Sequence, residues 1–440
     1  MWRFLYVIFR AVSGLSFWVE RRFTHAGMLV LGVLIIAAVF GIDTSLTLAY
    51  RIFALSTALL LLSMIAARFG SAQLVVHPRL PHTLTAGEPF ALRLDVRNLM
   101  GSAVDGVRLR VELGDPRPDL AQFRAQLKLP TYRGWTRLLW ANRVAFIDEA
   151  PLPTLQARAE TQVQLHGQAL KRGRLHIDGF EVARSDALGL FRKLTPIASG
   201  ADICVLPKRY ALPELKLSGA RRYQPGGMPQ GASTGDSEEF LGLRDYRPGD
   251  PLQRIHWRSF ARLGTPVVKE YQDEYIARYA LVLDTLAPAA TENANEAFEE
   301  AVAVAASFAW TIDTQECLLD HTQECLLDLM FVGSELHSYT AGRGHLLPSR
   351  LLEVLAGVRM RNDGELSLLL EQVRARRSQL SACICILLSW DEQRRQLIDT
   401  LRAGAAMVLP LLVTTLPPPS LPPGIRVLTP GGIAEQLMSL

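Results

Sequence analysis

Two apolar runs near the start of the chain, "THAGMLVLGVLIIAAVFGID" (24–43) and "RIFALSTALLLLSMIAARFG" (51–70), limit what this sequence can become. Each is close to the ~20 residues that an α-helix needs to cross hydrocarbon, near the short limit. Both are hydrophobic on every face, unlike the amphipathic helices of a soluble surface. The connection around "DTSLTLAY" is too short for a domain, so the pair reads as a transmembrane helical hairpin (24–70) rather than a cleaved leader. Arg3, Arg10, Arg21 and Arg22 precede the first run and Arg68 closes the second. The connection carries Asp43, with Arg51 placed to snorkel, so the positive-inside asymmetry puts both ends in the cytoplasm. The opening "MWRFLYVIFRAVSGLSFWVE" is either an interfacial segment on the membrane or a cytoplasmic lead-in (1–23).

Beyond the hairpin the period changes. "AQLVVHPRL", "FALRLDVRNL" and "GVRLRVELG" alternate apolar and polar residues between Gly, Pro and Asn signals. Residues 71–210 therefore read as a β-sandwich-like domain. "LPTYRGWTRLLWANRV" (129–144) breaks the pattern, as an insertion or as an irregular strand pair. Residues 211–239 are rich in Gly, Pro and small polar residues and read as a linker or loop. They lack the GxxxxGK[ST] spacing of a phosphate loop.

The densest charge lies in "RDYRPGDPLQRIHWRSFARLG" (244–264). "RDYRPGD" reads as a turn, and Asp250 in capping-box spacing with Gln253, Pro251 as first helical residue and Gly264 as stop predict a helix after it. Leu252, Ile255, Ser259, Phe260 and Leu263 share one side of it, and Arg254, Arg258 and Arg262 follow i, i+4, i+8 on another. Trp257 points away from the apolar centre and is expected to pack on a second surface as a structural residue. Nucleic acid is not an expected partner. Glu238, Glu239, Asp245 and Asp250 sit among the arginines, and 47 Lys+Arg against 43 Asp+Glu leave a net charge of only +4, too little for a polyanion-binding face. His256 has no marked nucleophile beside it and reads as a packed, hydrogen-bonded histidine. Five cysteines without a CxxC pair fit a reducing compartment.

This segment resembles the signature of the prokaryotic DUF58 family. The matching positions are Glu239, Phe240, Arg244, Tyr246, Gly249, Asp250, Arg254, Ile255, Trp257, Ala261, Arg262, Lys269 and Glu270, with Arg258 inside the same run. A "D-x-x-G-L-F" element (Asp186, Gly189, Leu190, Phe191) and the N-terminal hairpin extend the likeness over nearly the whole chain. The resemblance implies a bacterial inner-membrane protein with a von Willebrand A-like domain, working beside a MoxR-type AAA+ ATPase in a chaperone-like or envelope-related role.

Residues 240–440 support an α/β fold on their own. "RYALVLDT", "LLDLMFVG", "ELHSYTAG", "ACICILLSW", "AMVLPLLVT" and "IRVL" are strand-like runs separated mostly by helical segments, as in a doubly wound parallel sheet. A metal-binding von Willebrand A-like domain would carry D-x-S-x-S after its first strand. This chain has Asp284, then Leu286 and Pro288 in place of the serines. Asp284 and Asp391 remain as weak metal candidates, and no cofactor is expected. The duplication "TQECLLDHTQECLLDL" presents Cys317, His321 and Cys325 at i, i+4, i+8, a zinc spacing if helical. It reads first as a tandem slip at a helix–strand junction, whose second copy starts a strand.

The expected function is that of a non-enzymatic, membrane-tethered assembly factor with the lipid bilayer and an AAA+ ATPase as partners. The signature residues would serve as docking or structural elements. The alternatives are an envelope-processing hydrolase around His256 and Asp284, and a metal-dependent ligand-binding module.

Overall fold

The computed structural model describes residues 2–40, 47–69, 73–127, 129–213, 240–250, 252–271, 277–286, 294–319, 325–333, 336–342, 348–361, 366–376, 379–404, 407–416, 418 and 420–440. The chain is multidomain, dividing into two compact units, Met1–Lys208 and Arg209–Leu440. The sequence-predicted linker lies outside the described residues from 214 onward, as do Glu239, Asp43 and Pro288.

The first unit opens with three helices, α1 (Trp2–Arg22), α2 (His25–Phe40) and α3 (Thr47–Ala66). One of them, over Leu48–Ala66, is long and apolar enough to cross a membrane by length and composition. Of the two full spans expected, one is found among the described residues, because α2, though apolar throughout, has only 16 residues there, short of the ~20 required. Strands follow as β1 (Leu74–Arg79), β2 (Thr83–Thr85), β3 (Pro89–Asn98) and β4 (Val107–Leu113). Two helices interrupt them, α4 (Leu120–Gln126) and α5 (Tyr132–Asn142), before β5 (Ala145–Ile147), β6 (Ala150–Pro151), β7 (Glu160–Ala169), β8 (Gly173–Ser185) and β9 (Arg192–Leu206). The two sheets have strand orders β1-β3-β7-β5 and β2-β9-β8-β4-β6. They share one core, because alternation sends Leu92, Leu94 and Val96 inward from β3 and Val107, Leu109 and Val111 from β4.

The "LPTYRGWTRLLWANRV" stretch resolves as a helical insertion. Thr131 caps α5 by accepting from the Gly134 N–H at 3.2 Å. Trp135, Leu138 and Leu139, at i, i+3, i+4, bury one face against Phe123 of α4.

The second unit comprises β10 (Phe240–Asp245), α6 (Trp257–Leu263), β11 (Val267–Tyr271), β12 (Ala277–Leu283), α7 (Ala294–Leu319), β13 (Cys325–Val332) and β14 (Leu336–Ala341). It continues through α8 (Pro348–Gly357), α9 (Ser367–Arg376), β15 (Ala382–Leu387), α10 (Glu392–Arg402), β16 (Met407–Val413), β17 (Arg426–Leu428) and α11 (Ile433–Met438). Its main sheet has the order β14-β13-β12-β15-β16-β17. Five strands run parallel, and β14 is an antiparallel edge. The sheet is therefore mixed rather than all parallel, since the three residues between β13 and β14 allow a hairpin and no crossover. Tyr279–Leu283 of β12 are buried throughout, as a central strand covered on both faces requires. The strand order reverses between β12 and β15, so the ends of these two strands flank the topological switch point.

Helix α7 runs to Leu319 and β13 begins at Cys325. The two TQECLLD copies thus fall on a helix end and a strand, which removes Cys317 and Cys325 from a shared helical face. His321 lies outside the described residues.

Candidate functional site

The charged segment is assembled on a two-stranded ladder. β10 and β11 pair antiparallel, with Leu243 opposite Lys269, Arg244 opposite Val268 and Gly242 opposite Glu270. After β10 the chain turns through Arg247–Asp250, with Gly249 at φ 109°, a region that side-chain-bearing residues rarely enter. Asp250 braces the turn. Its carboxylate accepts from both terminal nitrogens of Arg244 at 2.7 Å, and from the Arg247 N–H at 2.8 Å. The bidentate Arg244 pair, then the Arg247 amide, pull the Asp250 carboxyl down to about 2. Tyr246, half-buried, closes the turn by donating its N–H to the Pro266 carbonyl at 3.0 Å. The R-x-Y-x-x-G-D spacing is therefore a braced reversal.

The helix expected to start at Pro251 does not form as such. Leu252–Arg254 make one 3₁₀ turn, and Ile255 is buried against β11 in a bridge with Val268. α6 starts only at Trp257, without a side-chain cap. Asp250 is committed to Arg244 and Arg247, so it does not cap the helix. Gly264 stops α6 as anticipated, in the left-handed conformation at φ 73°.

The side chains then take up positions the helical wheel does not foresee. Trp257 is 62% exposed, touching Phe260 edge-on at 6.1 Å, and is not buried as a structural residue. A helix of two turns leaves most of an indole uncovered when none of the described residues packs over it. Leu252 and Leu263 are also exposed, as are Arg254, Arg258 and Arg262. Trp257, Leu263, Arg258 and Arg262 make α6 an apolar and cationic surface. His256 donates its backbone N–H to Val267 at 2.9 Å, and its Nδ1 lies 2.7 Å from Ser259 Oγ.

A second constellation sits at the switch point. Asp284, directly after β12, is 1% exposed and accepts from the Leu286 N–H at 3.0 Å and the Leu388 N–H at 3.1 Å. Arg394 of α10, itself buried, donates Nε to Asp284 Oδ2 at 2.6 Å. Its Nη1 bonds Asp391, and its Nη2 reaches the Leu286 carbonyl at 3.3 Å. Asp391 also caps α10 by accepting from the Arg394 N–H at 3.0 Å. The two carboxylates singled out as metal candidates are thus bridged by one guanidinium. Leu286, at the position of the first serine ligand, is a buried apolar residue. The residues present do not fit a divalent cation, which needs several oxygen ligands in an open shell. Among the described residues no group of three or more His, Cys, Asp or Glu is placed to hold a metal. No motif in the sequence singles out Arg394, but its helical position does. It stands at i of an i, i+3, i+4, i+7 set with Leu397, Ile398 and Leu401, the buried face of α10.

In the first unit the D-x-x-G-L-F element forms a bracket. Asp186 accepts from the N–H groups of Leu188, Leu190 and Phe191 at 2.8–3.0 Å, which folds the turn. The turn grips the junction between α1 and α2. Thr24 N–H donates to the Leu190 carbonyl at 3.1 Å, and Phe23 bridges Phe191 with ring centroids 5.2 Å apart. Gly27 is needed here, because an added Cβ would lie 2.0 Å from the Leu190 carbonyl oxygen. Arg21, just before the junction, is paired with Glu112 at 2.9 Å and Glu181 at 2.8 Å.

The family model described as "Protein of unknown function DUF58" matches residues 242–317. This is a DUF58 segment. It takes in the braced turn, α6, β11, β12 and most of α7, a narrower reach than the near-complete likeness drawn from the sequence. No curated protein matches the chain. Solved structures similar to part of it include the CARDB domain of a Pyrococcus furiosus protein, at 10% identity and TM-score 0.17, covering 30% of this chain and 94% of that one. The native conformation of Escherichia coli alpha-2-macroglobulin shares 14% identity at TM-score 0.19, over 35% of this chain and 9% of that one. A PapD-like domain of human CEP192 shares 9% at TM-score 0.15, over 30% and 84%. TM-scores this low decide nothing about the fold. The DUF58 segment places Arg244, Tyr246, Asp250, Arg254, Trp257, Arg258, Arg262, Lys269 and the backbone of Glu270 on one ladder and its connection. Asp284 falls inside the DUF58 match and Asp391 beyond it.

Proposed function

We propose that this chain is a membrane-tethered, non-catalytic accessory protein that docks a MoxR-type AAA+ ATPase in a chaperone-like or envelope-related assembly. The observation that carries this reading is the α6 surface, where Trp257 is exposed beside Arg258 and Arg262. Exposed Trp and Arg are the residue types that dominate binding energy at protein interfaces. The β10–β11 ladder, joined to the start of α6 through the Ile255–Val268 bridge and the His256 N–H, supplies a mount, and the arginines favour an acidic partner face. In this reading the second unit is a von Willebrand A-like domain, supported by its strand order and antiparallel edge. The two sheets of the first unit form a β-sandwich. Helices α2 and α3, which pack on one another, enter the bacterial inner membrane as a hairpin with both soluble ends cytoplasmic. The metal-dependent alternative loses support from Arg394, which occupies both carboxylates. The hydrolase alternative keeps the His256–Ser259 contact, but Asp284 is closed by the same arginine and Asp250 by Arg244.

Affinity capture with the detergent-extracted full chain, with and without ATP, tests the proposal. The expected result is a nucleotide-dependent AAA+ ATPase in the wild-type eluate and its loss with Trp257→Ala or Arg258→Ala. Equal recovery from wild type and both variants, or no such partner in repeated captures, removes the docking role.

A further inference from the structure

Helix α1 is apolar on both sides. Its inner side places Trp2, Tyr6 and Phe9 against Phe123 and Trp135, with ring centroids 5.5–6.2 Å apart. This contact suffices to seat the helix on α4 and α5. Yet its outer side carries Phe4, Val7, Ile8, Val12, Leu15 and Trp18, all exposed. At ~100° per residue these side chains fall in one band about 140° wide. Ser16 and Glu20 lie outside the band. A fold that needed only solvent beyond α1 would have polar residues there.

We infer that the outer face of α1 lies in the headgroup–acyl boundary of an anionic bilayer, as an in-plane helix. The inference rests on the membrane reading above and adds a second, non-spanning contact to it. Continuity argues for lipid over a protein occupant. α1 leads through Phe23 and Thr24 directly into α2, and α2 and α3 expose their own apolar side chains, among them Ile35, Ile36, Leu61 and Leu62. The bracket on Phe191 and Leu190 fixes that junction, so α1 cannot swing far from the helices it feeds. Arg3 and Arg22 stand at the two ends of the band, where they suit anionic headgroups. An amphipathic helix with aromatic and branched apolar residues on one face and basic ends is the composition that partitions to this depth.

Site-specific photocrosslinking of the full chain in vesicles of phosphatidylcholine and phosphatidylglycerol tests it. Benzoylphenylalanine replaces Phe4, Leu15, Ser16 or Leu61 in turn. Lipid adducts are expected at positions 4, 15 and 61, with yields at 4 and 15 several-fold above that at 16. Adducts at 61 but not at 4 and 15, or a second copy of the chain captured there instead, would overturn the in-plane helix and leave the membrane anchor standing. No lipid adduct at position 61 either would remove the anchor and the inference together.

Discussion

The guanidinium of Arg394 contacts the carboxylate of Asp284 at 2.6 Å, and both side chains are almost wholly withdrawn from water. A buried pair of this kind is vulnerable to loss of one partner, because the remaining charge keeps its desolvation penalty. Arg394→Ala should therefore destabilise the second unit by ~3–5 kcal/mol, read as a fall in the unfolding midpoint of the detergent-solubilised chain. Asp391→Ala, which removes an N-cap and the more exposed of the two carboxylate partners of Arg394, should lose only ~0.5–2 kcal/mol, since Arg394 keeps Asp284. Magnesium or manganese should leave the wild-type melting temperature where EDTA leaves it. A clear upward shift with either ion would mean that Arg394 yields to a metal.

Asp250 sets a pH window. Its carboxyl is pulled to about 2 by Arg244 and then by the Arg247 amide, below the ~3.9 of an unfolded Asp. A lowered pKa means that the brace is fully present above pH ~4 and fades as pH falls through the folded value. Exchange of the Tyr246, Arg247, Gly249 and Asp250 amides, corrected for intrinsic rates, should stay flat down to pH ~4 and rise only toward pH 2. Asp250→Asn should exchange faster at neutral pH and lose this acid-dependent step.

The α6 surface separates stability from binding. Ile255 is buried against β11, so Ile255→Ala should lose ~2–5 kcal/mol. Trp257→Ala should stay within ~0.5 kcal/mol of wild type, as a surface substitution does, while partner capture falls. Chemical denaturation and capture on the same preparations check both. Strong destabilisation by Trp257→Ala would return the indole to a structural role.

Gly27→Ala tests the bracket between the α1–α2 junction and the β8–β9 turn. The new methyl meets a backbone carbonyl at 2.0 Å, which a rotamer change does not relieve. Overpacking of this type amounts to ~1–3 kcal/mol. The variant should show earlier protease cleavage near 23–27 in detergent. Unchanged cleavage kinetics would show that the junction is slack.

The arrangement of segments along the chain was legible from short-range chemistry. Unbroken apolar runs marked α2 and α3, and the alternation of Leu92, Leu94 and Val96 marked an inward strand face. Signals of this kind repeat within one or two turns or strand steps, so composition and period reveal them. The spacing of Arg244, Gly249 and Asp250 likewise pointed to a turn, since its members sit six residues apart.

Local chemistry along the chain sets where apolar surface is made, which way it faces along a helix or strand, and where the chain reverses. Packing between distant segments sets which groups answer one another. Arg394 stands 110 residues from Asp284, and only the placement of β12 beside β15 brings them together. Trp257 could be assigned to a helix but not to a buried or exposed state, because burial is supplied by whatever packs over a two-turn element. The outer face of α1 has the same origin: its aromatic residues read alike in the sequence, and only docking on Phe123 and Trp135 divides them into a buried set and an exposed one.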